Sequence, residues 1–408
     1  MQWIADNVAT IGIFLMPLTY GFVGWFTNLA AIKMMFYPLQ FRGIKPFLGW
    51  QGIVPRKASG LALKSANLLQ ERVVQIDQFF SKIKPQQINR SLQPILEQHI
   101  PNLTASCINS LDQHLREQIT TVDEKRIQEK VLSHSLEQMQ QITSQLAEDV
   151  KKVFNFKGLV LRALAGDNAK LIVDIFQEVG SKEFLFIQRS GWYFGALLGL
   201  VQAGLWLLYP YWWTLPMQGI VVGYITNFLA LNMIFRPLYE KRYLFFSYQG
   251  LFLKRQDEVS KQYARIFAEH VMNPRNILEE ILYRRIARTI GETIEADIIA
   301  LLHTKTKPEE KATLSQVVEQ EIGVTKSQAQ LETVNFLSQS SQLLEKMMAK
   351  AMPIEKMIYE RMRALPPEEF EPILRSAFQE DEYILILLGS VLGALVGMGQ
   401  AVFMLLTM

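Results

Sequence analysis

The chain has 408 residues, 49% of them hydrophobic and 20% charged, with a formal net charge of +3. So small a positive balance argues against a nucleic-acid partner, and the single cysteine, Cys107, excludes an internal disulfide or a multi-thiolate metal centre. The charge is spread unevenly: residues 7–32, 190–235 and 383–408 contain no Lys, Arg, Asp or Glu.

At about 1.5 Å rise per residue, roughly 20 apolar residues span the hydrocarbon layer. The first uncharged tract therefore predicts a transmembrane helix over residues 8–36. It is read as retained and not as a signal peptide, because a basic leader is missing and Asp6 precedes it. Residues 58–182 follow as a helical soluble lobe. Leu69, Val73, Ile76, Phe80 and Ile83 fall on one helical stripe, and Leu132, Leu136, Met139, Ile142, Leu146 and Val150 on another. Pro85, Pro94 and Pro101 are expected to divide the lobe into several helices. The second uncharged tract is long enough for two crossings, 190–208 and 216–235. Tyr209, Pro210, Tyr211, Trp212, Trp213 and Pro216 mark an interfacial turn between them.

A second helical lobe is expected over 256–380. Asn273-Pro274 reads as an N-cap followed by proline at the first helical position. Leu278, Leu282, Ile286, Ile290, Ile294 and Ile298 then make a near-heptad stripe, while 304–332 reads as a mobile loop or exposed helix. Residues 383–407 form the last predicted crossing. Strand alternation is absent, so the class is all-α.

The chain repeats itself. Gly24-Trp25-Phe26-Thr27-Asn28 returns as Gly223-Tyr224-Ile225-Thr226-Asn227, each run closing on Pro-Leu (Pro38-Leu39, Pro237-Leu238). Gln51-Gly52 returns as Gln249-Gly250, and Phe176-Gln177-Glu178 as Phe378-Gln379-Glu380. Gly191, Gly195, Gly199 and Gln202 match Gly389, Gly393, Gly397 and Gln400. These offsets, near 199 residues, predict a tandem duplication in which each unit has two crossings. Both units then share one orientation, with a pseudo-twofold axis along the membrane normal and both lobes on one side. Lys33, Arg42, Arg189, Arg236 and Lys241 lie at the lobe ends of the membrane segments, and the opposite turn has no basic residue. The positive-inside bias therefore places the lobes in the cytoplasm.

Thr27, Asn28, Thr226 and Asn227 stand out as polar groups in apolar tracts. An amide in hydrocarbon must pair with another helix or line a polar cavity, so these residues are either helix-to-helix glue or a binding site on the axis. Gln202 and Gln400 are expected to bond to the Thr-Asn pairs. Gly191, Gly195, Gly199, Gly389, Gly393 and Gly397 each put a bare backbone on one helix face and predict close helix packing. Lys33 and the basic pairs Arg56-Lys57 and Lys254-Arg255 suit lipid headgroups or solvated turns. The pairs lie behind aromatic linkers (Phe41, Phe47 and Trp50; Tyr243, Phe245, Phe246 and Tyr248). The five histidines have no metal-site spacing, and no phosphate loop or nucleophile elbow is present, so no cofactor, metal or catalytic residue is expected.

The run from Gly24 to Leu39, followed by Gly52-Ile53-Val54-Pro55-Arg56-Lys57, resembles the signature of the YheB/YjiN-type bacterial membrane proteins. That resemblance implies a bacterial inner-membrane protein with helical soluble parts and supplies no catalytic residues. The expected function is a non-enzymatic scaffold or a carrier of lipid-like molecules, touching membrane lipids and either a protein partner or further copies of itself. The alternative is a small channel or transporter built on the duplicated Thr-Asn site.

Overall fold

The computed structural model describes residues 2–44, 48–74, 76–80, 84–165, 168–242, 247–305, 311–375 and 382–407. The chain is an all-α membrane protein. Among the described residues, four helices are long and apolar enough to cross a bilayer: Ile13–Phe36, Ser181–Leu208, Thr214–Phe235 and Glu382–Leu406. The second begins before the uncharged tract, because Lys182, Glu183 and Arg189 continue the same helix.

Sequence reading missed two small antiparallel hairpins, Arg42–Ile44 with Leu48–Trp50 and Lys241–Arg242 with Ser247–Tyr248. Strands of two or three residues are too short to show alternation. Gly43, with φ of 136°, takes a backbone conformation that side-chain-bearing residues rarely adopt. The linker aromatics Phe47, Tyr243, Phe245 and Phe246, and the repeat landmark Phe378-Gln379-Glu380, lie outside the described residues.

The sequence suggests two successive lobes, whereas the contacts group the chain differently. One compact unit comprises Met1–Val73, Val160–Phe267 and Glu355–Met408; the other comprises Val74–Leu159 and Ala268–Ile354. In the first unit, Gln2–Phe36 packs along Ser181–Leu208, and Thr214–Phe235 along Glu382–Thr407. All four helices contribute to one buried cluster, which contains Met16, Tyr20, Trp206, Leu215, Val222, Ala401 and Met404. That cluster lies toward the Tyr209–Pro216 turn. Phe36, Phe184, Phe235 and Leu385 lie toward the other end, so the helices ending at Phe36 and Phe235 run the same way.

The second unit is woven from both halves of the sequence. Helices Pro85–Asn109 and Thr121–Glu148 pack against each other, and so do Arg284–Lys305 and Lys311–Ser340. The two pairs also pack against one another. Thr120 caps its helix through a reciprocal bond with Asp123, and Asn273 accepts from Asn276 N at 2.8 Å as the N-cap read from sequence. The stripe Leu278, Leu282, Ile286, Ile290, Ile294 and Ile298 is buried throughout. In the 121–148 helix the buried positions are Ile127, Val131, Ser135, Met139, Ile142, Thr143 and Leu146, while Leu132 and Leu136 are half-buried. Pro94 and Pro101 do not interrupt the 85–109 helix. Pro94 is exposed and Pro101 half-buried, where the carbonyls they free can reach water. Within 304–332 the residues from Lys311 onward are helical, and Ile322, Thr325 and Ala329 are buried.

Candidate functional site

The duplicated motif sits where four membrane helices converge. Asn28 donates from Nδ2 to the Ile187 carbonyl at 2.6 Å, and Asn227 does the same to the Leu385 carbonyl at 2.7 Å. Both amides thus bridge to the neighbouring helix, and both side chains are buried. Thr27 and Thr226 turn back instead: each hydroxyl donates to a carbonyl three residues earlier, Gly24 at 3.1 Å and Gly223 at 3.3 Å.

The bridges are possible because the backbones touch. A Cβ on Gly191 would lie 2.3 Å from the Gly24 carbonyl oxygen and 2.5 Å from Asn28 Nδ2. The equivalent atom on Gly389 would lie 2.3 Å from Asn227 Nδ2. Gly195 faces the Tyr20 carbonyl, Gly199 faces Met16 and Pro17, Gly393 faces Gly219, and Gly397 faces Leu215 and Pro216. All six glycines named from the sequence therefore line helix-to-helix seams.

Gln202 and Gln400 do not join the Thr-Asn pairs. Gln202 is fifteen residues along its helix from Ile187, about 22 Å at 1.5 Å per residue. It is buried, and its Nε2 has no hydrogen-bond partner among the described residues. Gln400 is half-buried near the same end. The expected link used repeat symmetry but ignored depth: the glycines between Asn28 and Gln202 measure the distance.

Between the two asparagines lies a chamber of about 30 Å³, lined by Asn28, Ile32, Met35, Asn227, Leu231 and Ile234 among others. Its exposed wall is apolar. The remaining amide oxygens, Asn28 Oδ1 and Asn227 Oδ1, are buried without a partner among the described residues and do not open into it. A space of this size fits one water or one methyl-sized group, and apolar cavities of this kind stay dry.

The motif's second half forms a clasp at the helix end. Gln51 Nε2 donates to the Leu39 carbonyl and Gln249 Nε2 to that of Leu238, both at 2.8 Å. Trp50 Nε1 donates to Met34 and Tyr248 OH to Met233, closing each hairpin onto the helix it follows. The Tyr37-Pro38 and Arg236-Pro237 peptides are both cis.

The basic residues divide. Lys33, Arg56 and Lys254 are exposed, as headgroup contact requires, and Lys57 is half-buried. Arg255 instead bridges Glu183, which is 1% exposed, and Glu258 at 3.0 Å, with Lys182 bonded to Glu258 at 2.6 Å. Hydrogen bonds from Arg255 and then Lys182 hold the Glu258 carboxyl down to about 2. Sequence reading missed Glu183, whose partner is 72 residues away. A charged residue inside an otherwise amphipathic helix start was the one available signal. Among the described residues no group of His, Cys, Asp and Glu is placed to hold a metal.

Comparison with known proteins gives partial matches. The chain is similar to a UPF0754 membrane protein of Bacillus pumilus, 37% identical over 99 residues, which is 21% of this chain and 26% of that one. A UPF0754 membrane protein of Exiguobacterium sibiricum is 33% identical over 84 residues, 19% of this chain and 22% of that one. One of a Picosynechococcus species is 28% identical over 120 residues, 29% of this chain and 28% of that one. The match spans about a quarter of the length of these relatives. No family model and no solved structure matches. The resemblance to YheB/YjiN-type proteins is corrected accordingly, since the relatives carry another family's name. Glycine seams and a buried amide meet a general need of membrane helices, so the motif is a weaker family marker than its length suggests. The chain is an all-α membrane protein with partial similarity to the UPF0754 membrane proteins.

Proposed function

We infer that this chain is a non-enzymatic scaffold: a rigid four-helix anchor in a bacterial inner membrane that holds a cytoplasmic helical unit for a protein partner. The observation that carries the reading is the pair of equivalent bonds from Asn28 and Asn227 to carbonyls across glycine seams. Amides committed to neighbouring helices stiffen an anchor. Their N–H groups are thereby withdrawn from the solute or ion contacts that a pore would need.

The size of the chamber favours the scaffold over a carrier that would hold its cargo among the membrane helices. At about 30 Å³ it holds one end group, whereas a carrier must enclose an acyl chain. The cytoplasmic placement rests on the basic residues at the Phe36 and Phe235 ends and on their absence from the 209–216 turn.

The test uses the full-length chain in its native membrane with a photo-crosslinking side chain at Leu331 or Leu343, both exposed on the helical unit. A single defined adduct, blocked by charged substitutions beside the labelled position, is expected, together with no solute flux in proteoliposomes. Flux that depends on Asn28 and Asn227 would establish the pore, and net transfer of lipid between vesicles would establish the carrier. Either result overturns the scaffold. Sidedness is read from an impermeant thiol reagent on a Ser133→Cys variant, because Cys107 is buried and its thiol is pushed up to about 12. Labelling of intact cells would place the unit outside.

A further inference from the structure

Where the third membrane helix ends, the chain opens a groove of about 560 Å³, within the range of small-ligand sites. We propose that this groove seats the headgroup of an anionic phospholipid from the surrounding bilayer.

Three observations coincide there. Leu229 and Met233 form the wall on the last two turns of the Thr214–Phe235 helix, so that wall stands at the edge of the hydrocarbon layer. Arg236 and Lys241 line the same groove just beyond the helix end, at headgroup depth. Tyr239, 59% exposed, adds an aromatic rim of the kind enriched at this interface. An acyl chain along the wall would bring its phosphate to the two cations.

Two carboxylates of the Pro367–Arg375 helix border this region, and each has another partner. Glu371 lies 3.4 Å from Arg236 Nη2 but is bonded by Arg375 at 2.9 Å, and Arg375 also holds Glu382 at 2.8 Å. Glu368 accepts a hydrogen bond from the Tyr239 hydroxyl, which holds its carboxyl below the usual range. Arg236 keeps 48% of its side chain exposed, and Lys241 is exposed. The neighbouring Arg242 and Glu240, both exposed, offset each other, and the groove lining itself carries Arg236 and Lys241.

The first half of the chain keeps one of the two cations, since Arg42 stands where the second half has Lys241, and lacks the other. Tyr37 stands where the second half has Arg236, and its hydroxyl donates to Gln177 at 3.3 Å. Lys33 stands where the second half has Asn232. The cation at Arg236 is therefore particular to the second half, and Lys125, exposed on the 121–148 helix and outside the groove lining, serves as a control.

The experiment uses the full-length chain in nanodiscs containing trace spin-labelled phosphatidylglycerol or phosphatidylcholine and reads the motionally restricted fraction of each. The wild type should prefer phosphatidylglycerol. At about 1 kcal/mol per basic residue near an anionic surface, Lys241→Gln should lower the preference about fivefold and Arg236→Gln/Lys241→Gln about 25-fold. Lys125→Gln should leave it unchanged. Lys241→Gln removes no side-chain bond among the described residues, so it reports even if the double variant unfolds. Equal restriction of both lipids by the wild type overturns the proposal, as does a preference untouched by Lys241→Gln. So does inorganic phosphate at millimolar concentration abolishing the preference, which would assign the groove to a free anion. The inference rests on the groove alone, so its failure leaves the scaffold reading standing, and the converse also holds.

Discussion

Replacing Gly191 by Ala tests the seam between the first two membrane helices. The new Cβ would stand 2.3 Å from the Gly24 carbonyl oxygen, whereas such atoms essentially never come within 3.0 Å of another heavy atom. The neighbours are backbone, so the helices themselves must part by most of an ångström. Overpacking of this kind costs about 1–3 kcal/mol. Separation also stretches the 2.6 Å bond from Asn28 to Ile187, a class of membrane hydrogen bond worth about 0.6 kcal/mol on average. Gly204, on the same helix, has nothing within 4 Å of its added Cβ. There Ala costs nothing sterically and gains about 0.5–1 kcal/mol of helix preference. The two variants should therefore differ by about 2–4 kcal/mol, measured by unfolding the reconstituted chain with increasing SDS in mixed micelles. If they differ by less than about 0.5 kcal/mol, the size of an ordinary surface substitution, the seam is not a close contact and the reasoning fails.

Asn28→Leu and Asn227→Leu should each lower stability in the same assay by about 0.5–1.5 kcal/mol and leave folding intact; no change in either would remove the glue role. Arg255→Met strands the buried Glu183 carboxylate and should destabilise by about 3 kcal/mol, the low end for breaking a buried pair because Arg255 keeps some contact with water. Adding Glu183→Gln should recover much of that loss, and failure to recover would show that the pair is not the cause. His99 stacks on Phe336 at 4.1 Å, and burial pushes its imidazole below the usual value against the pull of Glu332. The unfolded chain then binds a proton that the fold resists. Stability should be complete above pH ~6.5 and fall as the pH drops below it. His99→Phe should flatten that profile, measured by thermal unfolding between pH 5 and 8; an unchanged slope would clear His99.

The membrane helices were legible because the absence of charge over twenty or more residues has one physical meaning. The glycine faces were legible too, since spacing by four places bare backbone on a single side. The partners of Asn28 and Asn227 were not, because they are carbonyls, which every residue carries and no sequence marks. Gln202 shows the same limit: symmetry named it, but only the helix rise reveals that it lies too far away. The weaving of the helical unit from both halves was hidden for another reason. The stripe from Leu278 to Ile298 buries equally well against its own half or the other half, and amphipathic periodicity is blind to the difference.

The shared core of the Val74–Leu159 and Ala268–Ile354 unit has a consequence on the ribosome. When Glu148 has been made, the 85–109 and 121–148 helices hold apolar faces whose cover extends to Ser340 and does not yet exist. At roughly 5–20 residues per second, synthesis leaves that surface bare for about 10–40 s while two membrane segments insert. Such an interval invites chaperones or premature self-association, so production of this chain should depend more on translation speed than its small, local helices would suggest.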